Sequence, residues 1–195
     1  RPGRRTVTSP PEKIVPISRE IVFRGYFRVE RHTVRHALFA GGMTGNIVRE
    51  VFERGHAAAV LPYDPVRDAV VLIEQFRVGA YAAGKPAWLV EIVAGIIEDG
   101  ETAADVARRE AAADVFASPG GSTETVALFC ARCDTGVAGG IHGVAAEGED
   151  IRVIVRPFAG ILDDLRDGAI RSAPALIALQ WLALNRDRLR DAWRA

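Results

Sequence analysis

The segment that decides the fold is Gly95-Ile-Ile-Glu-Asp-Gly-Glu101-Thr-Ala-Ala-Asp-Val-Ala-Arg-Arg109-Glu110. It contains a glycine, five residues, a glutamate, seven residues and an Arg-Glu pair. Thr102, with an acid three residues later, forms a capping-box pattern that marks the start of a helix. The alanine-rich residues that follow favour helix strongly. We therefore predict a loop that ends near Thr102 and a helix from Ala103 to Ala112.

The same spacing brings charged side chains to the junction of loop and helix. Arg109 lies about two helical turns from Glu101, so it can reach back and tie the loop to the helix. Glu110 presents a carboxylate at the same junction. Mg²⁺ binds oxygen ligands and keeps one or two carboxylates beside waters and substrate phosphates. The pattern predicts a magnesium site at Glu110, and the alternative is a capped surface helix with solvated charges.

Together with its flanks, the segment resembles the front two thirds of the Nudix box. Leu89-Val-Glu-Ile-Val-Ala-Gly95 before it and Ala117-Ser-Pro-Gly-Gly-Ser-Thr-Glu124 after it are similar to the ADP-ribose pyrophosphatase branch of that family. The resemblance implies an α/β fold, a Nudix α/β/α sandwich with a small N-terminal antiparallel β-sheet region. It implies Mg²⁺-dependent, or Mn²⁺-dependent, hydrolysis of ADP-ribose to AMP and ribose 5-phosphate. The alternatives are hydrolysis of another nucleoside diphosphate sugar such as GDP-mannose, and a non-catalytic ADP-ribose-binding module.

The resemblance also assigns roles to residues of the box. It implies a catalytic role for Arg109, and metal ligands in the Glu110 carboxylate and the Ala94 backbone carbonyl. Gly95 and Glu101 are implied to be structural residues of the motif.

The chain departs from the family pattern after Glu110. The pattern continues with two acids and a glycine, but the corresponding places hold Ala113, Asp114 and Phe116. The Ser-Pro-Gly-Gly segment follows almost at once, which leaves no room for the turn and strand expected between them. We predict that about a dozen residues, the size of a typical connection, are absent after Ala112 or Ala113, either undetected or deleted. We expect a break in the chain there, with a strand after it. An unbroken chain would favour the alternative of a non-catalytic ADP-ribose-binding module.

The composition agrees with the compact soluble enzyme that the resemblance implies. The chain has 195 residues, 49% hydrophobic and 26% charged, enough for one core and a small second unit. Its 25 basic and 25 acidic residues balance, so no net charge attracts nucleic acid or a membrane surface. Cys130 and Cys133 lack the two further ligands that zinc requires, so we expect small core or edge residues of a strand in a reducing cytoplasm. No apolar run approaches the length of a membrane span or a secretion signal.

The pattern divides the chain into residues 1–54 and 55–195. In the first region, alternating apolar residues and turn glycines predict a small antiparallel sheet. Such a sheet is marginal alone, and the resemblance implies that this region forms a homodimer and contacts adenosine. In the second, the Nudix hydrolase domain, we predict strands at 57–62, 69–75, 88–93, 125–132 and 151–156, and helices at 159–166 and 174–190.

A glycine-rich loop from Asp134 to Asp150 is long for a compact domain. Loops of this length are often mobile surface segments or active-site lids. The resembling enzymes carry an acidic segment here that supplies the general base, which implies catalytic roles for Glu147 and Glu149 and a metal contact for Glu149. The alternative is a solvated acidic rim. His142 is a rival base, although a lone loop histidine is more often a surface residue.

Three residues match substrate-binding positions of the family. Arg77 and Arg49 match arginines near the diphosphate or the terminal ribose, where the guanidinium fork can donate two bonds. Either could instead be a surface charge partner. Tyr26 matches an aromatic residue that stacks on adenine, and its alternative is core packing.

Overall fold

The computed structural model describes residues 10–96 and 111–193, and it divides the chain into two compact units. The first unit comprises the residues up to Arg54 together with Ser118–Glu124. The second comprises Gly55–Ala117 and the residues from Thr125 onward. Ser118–Glu124, which we expected in the second unit, therefore belongs to the first.

The first unit is a three-stranded antiparallel sheet in the order β1-β2-β3. Its strands are β1 (Ile14–Arg24), β2 (Arg28–His36) and β3 (Ile47–Glu53). The segment 118–124 joins the outer edge of β3. There the Phe52 amide donates to the Gly121 carbonyl at 2.7 Å, and the Thr123 amide donates to the Phe52 carbonyl at 3.2 Å. The predicted small antiparallel sheet is confirmed, with a first strand that begins earlier than the alternation indicated.

The second unit is built on an eight-stranded mixed sheet with the path β10-β11-β5-β4-β9-β8. The pairing of β4 with β9 is parallel, and all other pairings are antiparallel. The strands are β4 (Ala57–Asp64), β5 (Ala69–Phe76), β6 (Trp88–Glu91), β7 (Val93–Ile96), β8 (Ala111–Phe116), β9 (Thr125–Arg132), β10 (Ile141–His142) and β11 (Ile151–Pro157).

Strands β4 and β5 pair only near their connecting turn, at Tyr63 with Val70 and Asp64 with Ala69. Beyond that point the two strands take different partners, since β6 pairs with β5 and β7 pairs with β4. Ile92 alone separates β6 from β7, and it is 2% exposed. The chain thus changes from one sheet partner to the other at a single buried residue, directly before the box.

The described residues of the second unit also include the helices α1 (Val78–Ala82), α2 (Phe158–Arg166) and α3 (Ala173–Trp193). Apolar side chains of α2 and α3 pack with those of β4, β5 and β9 in one core, in which each buried leucine contributes about 1.5–3 kcal/mol. Asp68 ties α3 to the β4–β5 turn, because it accepts hydrogen bonds from Arg186 and, at 2.8 Å, from the Tyr63 hydroxyl. The α/β class is confirmed. The strands predicted at 57–62, 69–75, 125–132 and 151–156 and the helices predicted at 159–166 and 174–190 agree with the observed ones within three residues. The strand predicted at 88–93 is divided into β6 and β7, and residues 103–110 of the predicted box helix lie outside the described residues. No helix among the described residues is long and apolar enough to cross a membrane.

The region after the box differs from the prediction. Ala111 and Ala112, which we expected at the end of a helix, are the first residues of β8. This strand pairs with β9 along its length, with one register shift between Ala111 and Ala113. The predicted break near Ala112 to Asp114 is therefore wrong, since a strand passes through it. Helix propensity is a weak prior, and pairing with the edge of β9 overrides it here.

Candidate active site

A charged network lies where β5 meets β6. The carboxylate of Glu91 accepts hydrogen bonds from Arg77 Nε at 2.8 Å and from Gln75 Nε2 at 3.1 Å. The Glu91 side chain is 13% exposed and that of Arg77 is 45% exposed. Glu91 is on the last residue of β6, three residues before Ala94. The half-buried Glu91 carboxylate thus holds the Nε side of the Arg77 guanidinium, directly before the box.

The neighbouring strand adds a second ion pair at this end of the sheet. Arg152, on β11, is directly opposite Glu74 on β5, and its guanidinium donates to the Glu74 carboxylate. Glu74 is in turn opposite Val90 on β6. Because successive side chains of a strand point to opposite faces, the Arg152–Glu74 pair lies on the face of the sheet opposite to Gln75 and Glu91, where the loop from Asp134 to Asp150 enters β11.

That loop has defined local structure at its acidic end. Ile141 and His142 form β10 against β11, and Ala145–Glu147 form a single 3-10 turn. The Glu149 carboxylate accepts the backbone amide of Val144 through Oε2 at 3.0 Å. His142 Nε2 lies 2.7 Å from the Gly139 carbonyl oxygen and is exposed, so this ring contacts its own loop. Glu149 lies just after this turn, and its carboxylate binds the amide of the residue that precedes the turn.

The start of the loop is held by a buried carboxylate. Asp64 is 1% exposed and accepts hydrogen bonds from the amides of Val66, Arg67 and Thr135 at 2.9–3.0 Å. It also accepts from the Thr135 hydroxyl at 2.9 Å and from Arg67 Nη1 at 3.0 Å. Burial alone would raise the pKa of Asp64, but these donors, the Arg67 and Thr135 amides foremost, hold it well below its usual value. The carboxylate is therefore charged and anchors the loop to the β4–β5 turn.

Two candidate substrate contacts lie in the first unit. Tyr26, in the β1–β2 turn, is 86% exposed, which contradicts the core alternative for this ring within its unit. It packs edge-on against Phe27, with 4.7 Å between ring centroids. Arg49, on β3, is exposed and donates from Nη1 to the Val48 carbonyl at 2.8 Å. Neither side chain is held by an acid among the described residues. Tyr26 therefore exposes an aromatic ring to solvent, and Arg49 exposes a guanidinium.

The same sheet contains a buried acid that the sequence did not indicate. Glu30, on β2, is 2% exposed and accepts from Arg19 Nε and Nη2, both at 2.6 Å, and from Arg28 Nε at 2.8 Å. His32 Nε2 lies 3.0 Å from Glu30 Oε2. Hydrogen bonds from Arg19, then from His32 and Arg28, lower the pKa of Glu30 to about 2 against the opposing effect of burial. This acid organises three basic side chains across β1 and β2.

Several predicted site residues lie outside the described part of the chain. They are Glu101, Arg109 and Glu110, and for Glu147 only the backbone is described. Ala94 and Gly95 are described and lie on β7, opposite Ala59 and Ala58 of β4. Among residues 10–96 and 111–193, no three His, Cys, Asp or Glu side chains cluster as a metal site. The predicted ligands Ala94 and Glu149 are oxygen donors, which suits magnesium chemistry.

Sequence reasoning missed Glu91, Glu74 and Arg152, although a signal was present. Glu91 interrupts an apolar strand directly before the box, and a charged residue inside such a strand is seldom buried unless it is paired. Its partner Arg77 was recognised, but the register that joins them arises from the β5–β6 pairing. That register is not encoded within either segment.

Comparison with known proteins gives close relatives. The chain is 43% identical to an ADP-ribose pyrophosphatase of Escherichia coli K12, with 99% of each chain covered. It is 38% identical to an ADP-ribose pyrophosphatase of Haemophilus influenzae, covering 91% of this chain and 89% of the relative. A GDP-mannose pyrophosphatase of Cronobacter sakazakii is 38% identical over 150 residues, 70% of this chain and 78% of the relative.

The alignment with the E. coli protein extends over 206 residues, more than the 195 of this chain, so that relative has residues without a counterpart here. This difference fits the predicted absence of a short segment, although the predicted break is not observed. No family model matches the chain. A solved ADP compounds hydrolase has the same fold, with a TM-score of 0.66, 20% identity, and coverage of 96% of this chain and 100% of that one. The full-length relatives and the shared fold show that the chain belongs to the Nudix hydrolase family, in its ADP-ribose pyrophosphatase branch.

Proposed function

We propose that the protein hydrolyses the diphosphate of ADP-ribose to AMP and ribose 5-phosphate with Mg²⁺ as cofactor. The observation that carries this proposal is the 43% identity to a relative named ADP-ribose pyrophosphatase over 99% of both chains. The charged network of Arg77, Glu91 and Gln75 supports it, because it fixes an arginine at the end of β5. The protein is thereby proposed to bind a nucleoside diphosphate sugar.

Arg77 is the proposed diphosphate contact in the second unit. The Arg77 Nε donates a hydrogen bond to Glu91, and the described residues include no partner for the two terminal nitrogens of Arg77. A guanidinium held by one edge is already oriented, so less side-chain entropy is lost when the other edge meets a phosphate. Glu91 is then the residue that positions Arg77, and Tyr26 and Arg49 are proposed to contact adenosine and the ribose side.

Glu149 is the proposed general base, with Glu147 as the second acid of the same turn. The base takes one proton from the attacking water, the water oxygen bonds to phosphorus, and the bridging oxygen leaves with the departing phosphate. Glu149 uses Oε2 for the Val144 amide, so its second oxygen can accept that proton without loss of the contact. Arg109 is proposed to neutralise charge beside this centre.

The proposed metal ligands are the Glu110 carboxylate, the Ala94 carbonyl and the Glu149 carboxylate. These are hard oxygen donors, which fit Mg²⁺ or Mn²⁺ better than a metal that prefers sulfur or imidazole. A bound divalent ion would neutralise the diphosphate and orient water for attack. Gly95 and Glu101 are proposed to shape the loop between β7 and these ligands.

Two other functions have a specific observation in their favour. Hydrolysis of GDP-mannose is favoured by the C. sakazakii relative, but its match is shorter. A non-catalytic ADP-ribose-binding module is favoured by β8, because Ala113 and Asp114 occupy a strand where the family pattern has helical acids. The binding module differs from the proposed enzyme in having no turnover, and the GDP-mannose hydrolase differs in the preferred nucleobase and sugar of the substrate.

We also propose that the protein is a cytoplasmic homodimer. The three-stranded sheet exposes large apolar side chains, including Ile14 at 66% and Phe23 at 59%, and small isolated sheets need a covering surface. The two cysteines of the chain, Cys130 and Cys133, are not joined in a disulfide, which suits a reducing compartment.

The test is turnover of a panel of nucleoside diphosphate derivatives, with Mg²⁺ or with a chelator. We expect metal-dependent release of AMP from ADP-ribose, with a lower kcat/KM for GDP-mannose. Glu110→Gln removes a charged ligand at nearly constant volume, so we expect loss of most activity with little change in Tm. Binding of ADP-ribose without turnover would instead support the binding module, and full activity of Glu110→Gln would remove its metal role.

A further inference from the structure

Gly143 lies just before the acidic turn of the loop, and Glu149 packs closely against the side on which a Cβ would stand. Gly143 has φ +125°, a conformation that side-chain-bearing residues rarely adopt. A Cβ built on it would lie 2.7 Å from the Glu149 carbonyl oxygen, 2.8 Å from Glu149 Cβ and 2.9 Å from the Glu149 carbonyl carbon. All three atoms belong to one residue, and two of them are backbone atoms, which cannot move aside as a flexible side chain can.

The next residue continues the same contact. The Val144 amide donates to Glu149 Oε2 at 3.0 Å, and the Glu149 amide donates to the Val144 carbonyl at 3.3 Å. Val144 therefore binds Glu149 at its backbone and at its carboxylate. Gly143, directly before it, leaves free the space that the Glu149 backbone and Cβ approach.

We infer that Gly143 is a positioning residue for hydrolysis, because the absence of its side chain lets Glu149 approach and sets the place of the carboxylate. The inference rests on the proposed function, in which Glu149 is the base. Ordinary contacts of a Cβ begin near 3.4 Å, so Gly143→Ala forces the Glu149 backbone to retreat by about 0.7 Å, and a misplacement near 1 Å can lower a rate about 10²-fold.

The loop supplies a matched control. Gly139 also has a strongly positive φ, +150°, but a Cβ there meets nothing within 4 Å. Gly139→Ala therefore introduces the same kind of backbone strain in the same loop without contact with Glu149. A difference between the two variants measures the contact and not the strain.

The experiment measures kcat and KM for ADP-ribose with Mg²⁺, and Tm, in Gly143→Ala, Gly139→Ala and both combinations with Glu149→Gln. We expect Gly143→Ala to lower kcat roughly 10- to 10²-fold with KM changed less than about threefold, and Gly139→Ala to keep kcat within about threefold. In the Glu149→Gln background, Gly143→Ala should change kcat less than about twofold, because residues that act through one group are not additive.

The outcomes separate the two proposals. If the unmodified protein releases AMP but Gly143→Ala matches Gly139→Ala, the positioning role is wrong and the proposed function stands. An equal loss from Gly143→Ala with and without Glu149→Gln also overturns the role, since the effect then bypasses Glu149. If the unmodified protein hydrolyses no nucleoside diphosphate, the proposed function fails and the inference fails with it.

Discussion

Replacement of Asp64 by asparagine tests the buried carboxylate that anchors the start of the loop from Asp134 to Asp150. Asp64 is 1% exposed and accepts five hydrogen bonds, from three amides, one hydroxyl and one guanidinium. Asparagine has the same shape, but its NH₂ group replaces one carboxylate oxygen. The donors that this oxygen accepted from then face another donor. A buried hydrogen bond to a charged group is worth about 1.5–3 kcal/mol, and an unsatisfied donor costs a similar amount, so we expect a loss of about 2–4 kcal/mol.

For a chain of this length, that loss lowers Tm by roughly 5–15 °C. The assay is thermal and urea unfolding followed by circular dichroism, with Asp134→Asn as the matched control. Asp134 contacts the same guanidinium at 2.5 Å, but its side chain is 66% exposed. An exposed ion pair contributes about 0–1 kcal/mol, so the control should change Tm by a few degrees at most.

The pH dependence gives an independent check. Because the folded protein lowers the pKa of Asp64, its contribution is fully present above the unfolded-state pKa, about 3.9, and is lost as pH falls below that value toward the folded pKa. The stability difference between the unmodified protein and Asp64→Asn should be constant from pH 8 to about pH 5 and should shrink only below about pH 4. Equal Tm values for Asp64→Asn and Asp134→Asn at pH 7 would refute the argument.

Three further predictions concern activity and assembly. Glu149→Gln or Glu147→Gln should lower kcat by about 10² to 10⁴ with a smaller effect on KM, and only one of the two should show the full loss; if neither changes kcat, the acidic turn is a solvated rim. Glu91→Gln frees Arg77 and should raise the KM for ADP-ribose about 5- to 30-fold, as expected for 1–2 kcal/mol, whereas Glu50→Gln, at an exposed acid that pairs with Arg31, should have no effect; an unchanged KM would remove the link between Glu91 and substrate. Light scattering at micromolar concentration should give the mass of a dimer, and a fully active monomer would overturn that proposal.

The sequence predicted those elements whose patterns are local. Strand β9 spans Thr125–Arg132, as predicted, because a continuous apolar run bounded by turn residues specifies its own limits. Helix α3 was recognised from its apolar stripe within three residues at each end. Hydrophobic periodicity needs no knowledge of the partner segment.

Elements that depend on distant partners were not predicted correctly. Ala111 and Ala112 look helical by composition, but they form a strand because β9 offers an edge. Ser118–Glu124 joined the first unit through hydrogen bonds with Phe52, which is more than sixty residues away. Glu30 is paired across strands, because β1 places Arg19 beside it. In each case a register between separate segments decides the outcome, and no single segment contains it.

The placement of Ser118–Glu124 in the first unit has a consequence for protein synthesis. Strands β1 to β3 leave the ribosome well before this segment, and at about 5–20 residues per second the intervening chain takes several seconds to appear. During that interval the outer edge of β3, at Phe52, has no partner from 118–124 and offers open hydrogen-bonding groups to other nascent chains. Expression of residues 1–54 alone would make that vulnerable stage permanent. Separate study of the first unit therefore requires a chain in which 118–124 follows β3 through a linker.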